Sequence, residues 1–365
     1  MSRIQTVLGD ISPEKLGRTL SHEHIQFDNS PLFRVELPLD ASESMKKLAF
    51  DPVKENTGLS KYKLDLEMNP YISIDNMNMR DIAAVEQELL DYKAGGGVSV
   101  VDLTPVGTGR DTYILAHLAK KTGVNIVAST GFYIAPSHPE HVKKWSVDEV
   151  AEYFRKEIEE GIDPLNVGLD ETVTEGIKAG VIGELGMTDP LHPNEEKVLR
   201  AGGKAQAMTG VPLTVHVMVF KKEAHLYLNI LEEEGANFDK IYLSHMDTSC
   251  PDLDHHMSVI DRGVILNYDL FRNAPINDSH KLFGADQFIS DDIRVDCIVK
   301  LCEQGYEKYL MLSHDNCLKN HLKKYGGDGL DYIDRIIIPK LRENGVTEKQ
   351  IRTMLVDNPA RVLQF

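Results

Sequence analysis

The sequence predicts a single (β/α)8 TIM barrel, and three observations carry the prediction. Eight short apolar runs alternate with segments of helical spacing, and strands alternating with helices imply parallel pairing through helical crossovers. Several of the runs are continuously apolar, as strands buried on both faces must be. Their C-terminal ends, where a barrel gathers its chemistry, carry histidines and carboxylates. The 365 residues could fill one large core or two domains. No linker or repeat divides them, so residues 1–365 are read as one domain. An open doubly wound sheet is the rival, but no glycine-rich phosphate turn follows the first strand.

In chain order, residues 4–8 read as half of a small hairpin and residues 17–22 as the first barrel strand. Residues 29–76 then interrupt the alternation. Pro31, Pro38, Pro52 and Pro70 punctuate a stretch of mixed polarity, read as a long insertion with one short helix at 42–48. A loop of that length is either functional, a lid for example, or a surface decoration. The helix at 79–94 stops at Gly95-Gly96-Gly97. The β-branched run 98–103 is the second strand. A helix at 112–122 ends at Gly123, before a third strand at 125–129. Amphipathic helices at 147–160 and 171–178 lead to the fourth strand, 181–184. Helix 194–209, stopped by Gly210, precedes strand 213–216; helix 224–234, stopped by Gly235, precedes strand 241–245. Helix 253–262, strand 264–269, helix 292–304 and strand 309–314 complete the set. Helices at 330–344 and 347–356 close the chain.

A net charge of −17 repels nucleic-acid phosphates and anionic membrane, which excludes both as partners. It leaves room for a small anionic substrate, because local charge in a cleft can oppose the net field. Cys250, Cys297, Cys302 and Cys317 form no CxxC pair and no disulfide spacing. The first residues have no apolar signal core, and no run reaches membrane-spanning length. These features point to free thiols and a cytoplasmic protein.

The chemistry begins at Thr19-Leu20-Ser21-His22-Glu23-His24. Residues i and i+2 of a strand share a face, so His22 and His24 present two imidazoles side by side, suited to one or two transition metals. Further along, Glu184, His216, His245 and Asp315 end the fourth, fifth, sixth and eighth strands, and Asp269 ends the seventh. Singly, each has a bland alternative: a core histidine, a buried ion-pair partner, a helix cap. Together they would carry a large desolvation cost at a barrel mouth unless they served a ligand.

This set resembles the amidohydrolase superfamily. The segments around His22-Glu23-His24, Gly183-Glu184-Leu185-Gly186, Ser244-His245-Met246-Asp247 and Asp357-Asn358-Pro359-Ala360 resemble the phosphotriesterase family more closely. The similarity runs from residue 9 to 365 and is weakest over 29–76. The resemblance implies a binuclear metal centre, most often zinc, with His22, His24 and Asp315 on the more buried ion and His216 and His245 on the other. Glu184 stands where the phosphotriesterases proper carry a carboxylated lysine, as in the phosphotriesterase homology proteins. It implies a metal-bridging hydroxide as nucleophile, its pKa brought from ~15.7 to about 7 by the metals. Asp315 would be the catalytic group that moves the proton. His255 and His256 are helpers or, as is commoner, plain helix residues.

Lys221 and Lys222 after the fifth strand, and Arg272 beside Asn273 after the seventh, are candidates for binding an anionic group, or else solvated loop charge. Tyr133 would wall the pocket, or sit in the core. Tyr268 and Asp269 would orient the substrate or the histidines. With Glu184, these features resemble the branch that opens phosphorylated furanose lactones, which makes a lactonase the expected activity. A phosphotriesterase or other carboxylic-ester or phosphoester hydrolase is the alternative, and a non-catalytic metal-binding barrel a remote one. The resemblance also implies a homodimer.

Overall fold

The computed structural model describes residues 2–30, 32, 43–50, 62, 65–66, 69–162, 176–272 and 289–365. The chain opens with an antiparallel hairpin of β1 (Ile4–Thr6) and β2 (Gly9–Ile11). The first barrel strand, β3 (Thr19–Glu23), follows. Next come β4 (Phe27–Asp28) and β5 (Asn78–Met79), which pair with each other and stitch together the two ends of the long insertion. The remaining barrel strands are β6 (Ser99–Asp102), β7 (Asn125–Thr130), β8 (Val181–Gly186), β9 (Leu213–His216), β10 (Ile241–Ser244), β11 (Ile265–Tyr268) and β12 (Leu310–Leu312). All eight pair in parallel in the order β12-β11-β10-β9-β8-β7-β6-β3. The expected (β/α)8 barrel is thus present.

β3 and β12 meet through side-chain and loop hydrogen bonds just beyond β12. Ser313 Oγ accepts from the His22 N–H at 3.0 Å and lies 2.7 Å from the His22 carbonyl. The Asp315 N–H reaches the same carbonyl at 3.1 Å.

Strand alternation sorts the apolar residues into two cores. Val101, Val127, Val181, Tyr242, Ile265 and Met311 form one cluster with Ile4, Leu16, Val362 and Leu363. The hairpin and the C-terminal helix therefore plug one end of the barrel and leave the other for the site. The opposite strand faces, including Val100, Ile126, Ile182, Val215, Leu243 and Leu312, pack in a larger cluster with the helices.

The crossover helices keep close to the expected bounds because their stop signals are local. Thr112–Thr122 is capped by Asp111, which accepts from the N–H groups of Tyr113 and Ile114, and it ends at Gly123 with φ 69°. Three expected helices differ. Of the helix at 171–178, residues 171–175 lie outside the described residues and 176–178 are not helical. In the last two helices, wide turns at Ile333–Ile337 and Thr353–Asp357 stand just before Pro339 and Pro359. The missing N–H and the ring of each proline displace the turn before it.

One buried ion pair ties the helix Asp291–Glu303 to the barrel. Arg294 Nε donates to Asp247 Oδ2 at 2.5 Å, with both side chains fully inaccessible. Burial raises the Asp247 carboxyl above its ordinary range despite the guanidinium beside it. Arg294→Met would strand that carboxylate, and it is expected to cost about 3–5 kcal/mol of unfolding free energy. A lowered urea midpoint, partly restored by adding Asp247→Asn, is the expected result; an unchanged midpoint would contradict it.

Candidate metal centre

Two bulges aim the key side chains. Along β3 the register with β6 shifts between Leu20 and Glu23. Leu20 faces the helices, so strict alternation would send His22 outward too; the bulge turns His22 and then His24 into the barrel. β8 does the same between Ile182 and Leu185, and Glu184 turns inward. Gly183 permits this: at φ 141°, an added Cβ would meet Thr214 Cγ2 at 2.4 Å. His245 and Asp315, just beyond β10 and β12, have left-handed backbones with φ 63° and 52°, a conformation that non-glycine residues adopt mostly at special sites.

All six expected ligands meet. Glu184 Oε1 lies 2.8 Å from His216 Nδ1, 3.1 Å from His245 Nε2 and 3.6 Å from His22 Nε2. On the other side, Asp315 Oδ1 is 3.1 Å from His24 Nε2 and 3.7 Å from His22 Nε2. Two donor groups result, His22/His24/Asp315 and Glu184/His216/His245, with ligand atoms within 4.8 Å of one another in each. Glu184 stands between them. A third grouping, His22/His245/Asp269, is of another kind: Asp269 holds the far side of each ring, at His22 Nδ1 (2.7 Å) and His245 Nδ1 (2.9 Å). That fixes the tautomers and leaves each Nε2 for the centre. Thr104 Oγ1 holds the far side of the His24 ring, at 3.0 Å from Nδ1.

The donors fit metal ions. His22 Nε2 is buried without a hydrogen bond, and it faces Glu184 and Asp315 oxygens at 3.6 and 3.7 Å, a costly state that a cation between them relieves. His216 Nδ1 and His245 Nε2 approach to 2.8 Å, so two lone pairs would collide without a proton or an ion to share. The titration directions describe the same need for positive charge. Burial lowers the His22 imidazole, yet Glu184, Asp269 and Asp315 outweigh it and raise His22 to about 9. Burial alone would raise Glu184, but His216 and His22 bring it well below the ordinary carboxylate value. Burial keeps His216 low.

A cavity of about 220 Å³ opens onto the centre. Phe27, Tyr71, Tyr133, Met187, Met218 and Leu270 give it an apolar wall, and no lysine or arginine lines it among the described residues. Tyr133 lines the cavity, its hydroxyl 3.5 Å from His216 Nε2. Lys221 and Lys222 correct the sequence reading. They pair with Asp189 and Asp252 near the surface, and neither lines the cavity. Arg272 stands behind the wall, where its guanidinium donates to Asn316 Oδ1. Burial lowers its pKa, and Asn273 lies outside the described residues. Tyr268 and His256 bond to each other at 2.7 Å away from the cavity, so neither His256 nor His255 helps there. Asn29, Pro70 and Tyr71 show that the ends of the 29–76 insertion reach the cavity; residues 51–61 of it lie outside the described residues.

Comparison with known proteins shows similarity along the whole chain. An N-acetyltaurine hydrolase from Xenopus tropicalis is 33% identical over 364 residues, covering 100% of this chain and 98% of that protein. A solved resiniferatoxin-binding protein from Rhodobacter sphaeroides superposes with a TM-score of 0.88 at 33% identity, covering 99% of this chain and 94% of that one. The phosphotriesterase homology protein from Escherichia coli, solved with phosphate in its active site, gives a TM-score of 0.73 at 28% identity, over 96% and 99%. The family model described as the phosphotriesterase family matches residues 2–363, and the chain belongs to that family of hydrolases.

Proposed function

We propose that the chain is a binuclear metal-dependent hydrolase of carboxylic acyl bonds, and that the amide of a small anionic amine is its preferred substrate. The observation that carries this reading is the cluster of two carboxylates, Glu184 and Asp315, among His22, His24, His216 and His245 at the floor of a cavity with an apolar wall. Two divalent ions, zinc in this reading, would supply Lewis-acid polarisation of the carbonyl and lower the pKa of a bound water to about 7. His22, His24 and Asp315 would hold one, His216 and His245 the other, with Glu184 shared.

The side chains do the rest. The aromatic wall of Phe27, Tyr71 and Tyr133 excludes water and seats the acyl group. Asp315 receives the proton of the attacking water and returns it to the departing nitrogen, without which an amine cannot leave. Arg272, buried behind Cys317 and His321 of the cavity wall, is the one expected cation near enough to attract an anionic leaving group. Full-length similarity to an N-acetyltaurine hydrolase supports an amide. The phosphorylated sugar lactone leaned on Lys221 and Lys222, which are engaged elsewhere, so lactone opening stands second. Free cysteines suit the proposed cytoplasmic setting, and a homodimer is proposed from the resemblance alone.

The test is a panel of N-acetylated amino sulfonates and amino carboxylates against lactones, with and without phosphate, using zinc-loaded protein. Amide turnover above lactone turnover is the expected result. Lactone opening with inert amides would transfer the reading to its alternative.

A further inference from the structure

Resting on the reading just given, we infer that Glu23, the residue between the two metal-site histidines, is a positioning residue that aims Asp315. Because His22 and His24 face the barrel interior, Glu23 must face the other way, and its carboxylate is completely inaccessible. There it accepts from donors on both sides of Asp315: Ser313 Oγ at 2.7 Å, the His314 N–H at 2.9 Å and the Asn316 N–H at 3.0 Å. The Asp315 N–H itself reaches the His22 carbonyl at 3.1 Å. Three consecutive N–H groups of this turn are therefore anchored on β3, around a residue at φ 52°.

The imidazole of His314 completes the clamp. Its Nε2 accepts from the Ile333 N–H at 3.1 Å, which places the ring proton on Nδ1, 2.8 Å from Glu23 Oε1. Arg272 braces the far side by donating to Asn316 Oδ1. Rotating the Glu23 carboxylate would release both flanking amides and let Asp315 leave the position it holds against His24. One short segment thus supplies two metal-site histidines on one face and the fastening of the catalytic aspartate on the other.

Glu23→Gln tests this in the full-length chain. An amide puts an N–H₂ against donors, so one anchor must break. Turnover is expected to fall about 10–100-fold with KM nearly unchanged. Glu23→Gln/Asp315→Asn should be no slower than Asp315→Asn alone, since the first change acts through the second residue. The visible spectrum of the cobalt-loaded variant should also shift, which gives a readout independent of turnover. Should Glu23→Gln fail to fold, Glu23→Asp keeps the charge and shortens the reach, with a smaller loss of the same kind. Wild-type turnover and spectrum in a folded variant, or losses that multiply in the double variant, would overturn the inference. Wild-type turnover in Asp315→Asn would instead remove the proposed function, and the cobalt spectrum would still decide the role of Glu23.

Discussion

Glu184→Ala is expected to lower turnover about 1,000-fold or more and to reduce bound metal below the wild-type level. The magnitude follows from position. Changing an outer partner of a metal ligand already costs about 10–100-fold, and Glu184 lies within 3.6 Å of three of the ring nitrogens, on both donor groups. Without it, His22, His216 and His245 lose the one carboxylate they share, and two cations would face each other with less charge between them. Metal analysis and kinetics on the same sample check the prediction. Full metal content with full activity would show that Glu184 is a bystander of the site.

Asp315→Asn is expected to lower kcat about 100- to 10,000-fold, the range in which a positioned proton-transfer group contributes. Asparagine keeps the shape and an oxygen, but it cannot accept the proton. The loss should fall on kcat rather than KM. It should also grow with the basicity of the leaving group, being larger for an alkyl amide than for an activated aryl ester, whose phenolate leaves unaided. Metal content measured alongside separates a lost proton transfer from a lost ion. Equal losses for good and poor leaving groups would remove Asp315 from the proton path.

The barrel was legible because its strands are buried on both faces and therefore spell continuous apolar runs, and because glycines such as Gly123 and Gly210 mark helix ends locally. All six candidate ligands were legible because strand ends are where such a fold exposes side chains. Their orientation was not. Alternation from Leu20 puts His22 on the wrong face, and only the register shift against β6, a property of two strands together, restores it. Lys221 and Lys222 misled for a similar reason: their partners Asp189 and Asp252 are distant in sequence, and a charged loop residue looks the same whether paired or free. Tyr71 gave no signal, since its segment has no period to reveal a buried side. Glu23 was hidden by its neighbours; a glutamate between two ligands reads as spacing until the turn it fastens can be seen.

Electron paramagnetic resonance of the manganese-loaded chain tests most directly whether two ions share the Glu184 carboxylate. Two ions per chain with an exchange-coupled signal are expected. One ion per chain, or two ions with uncoupled signals, would contradict the sharing.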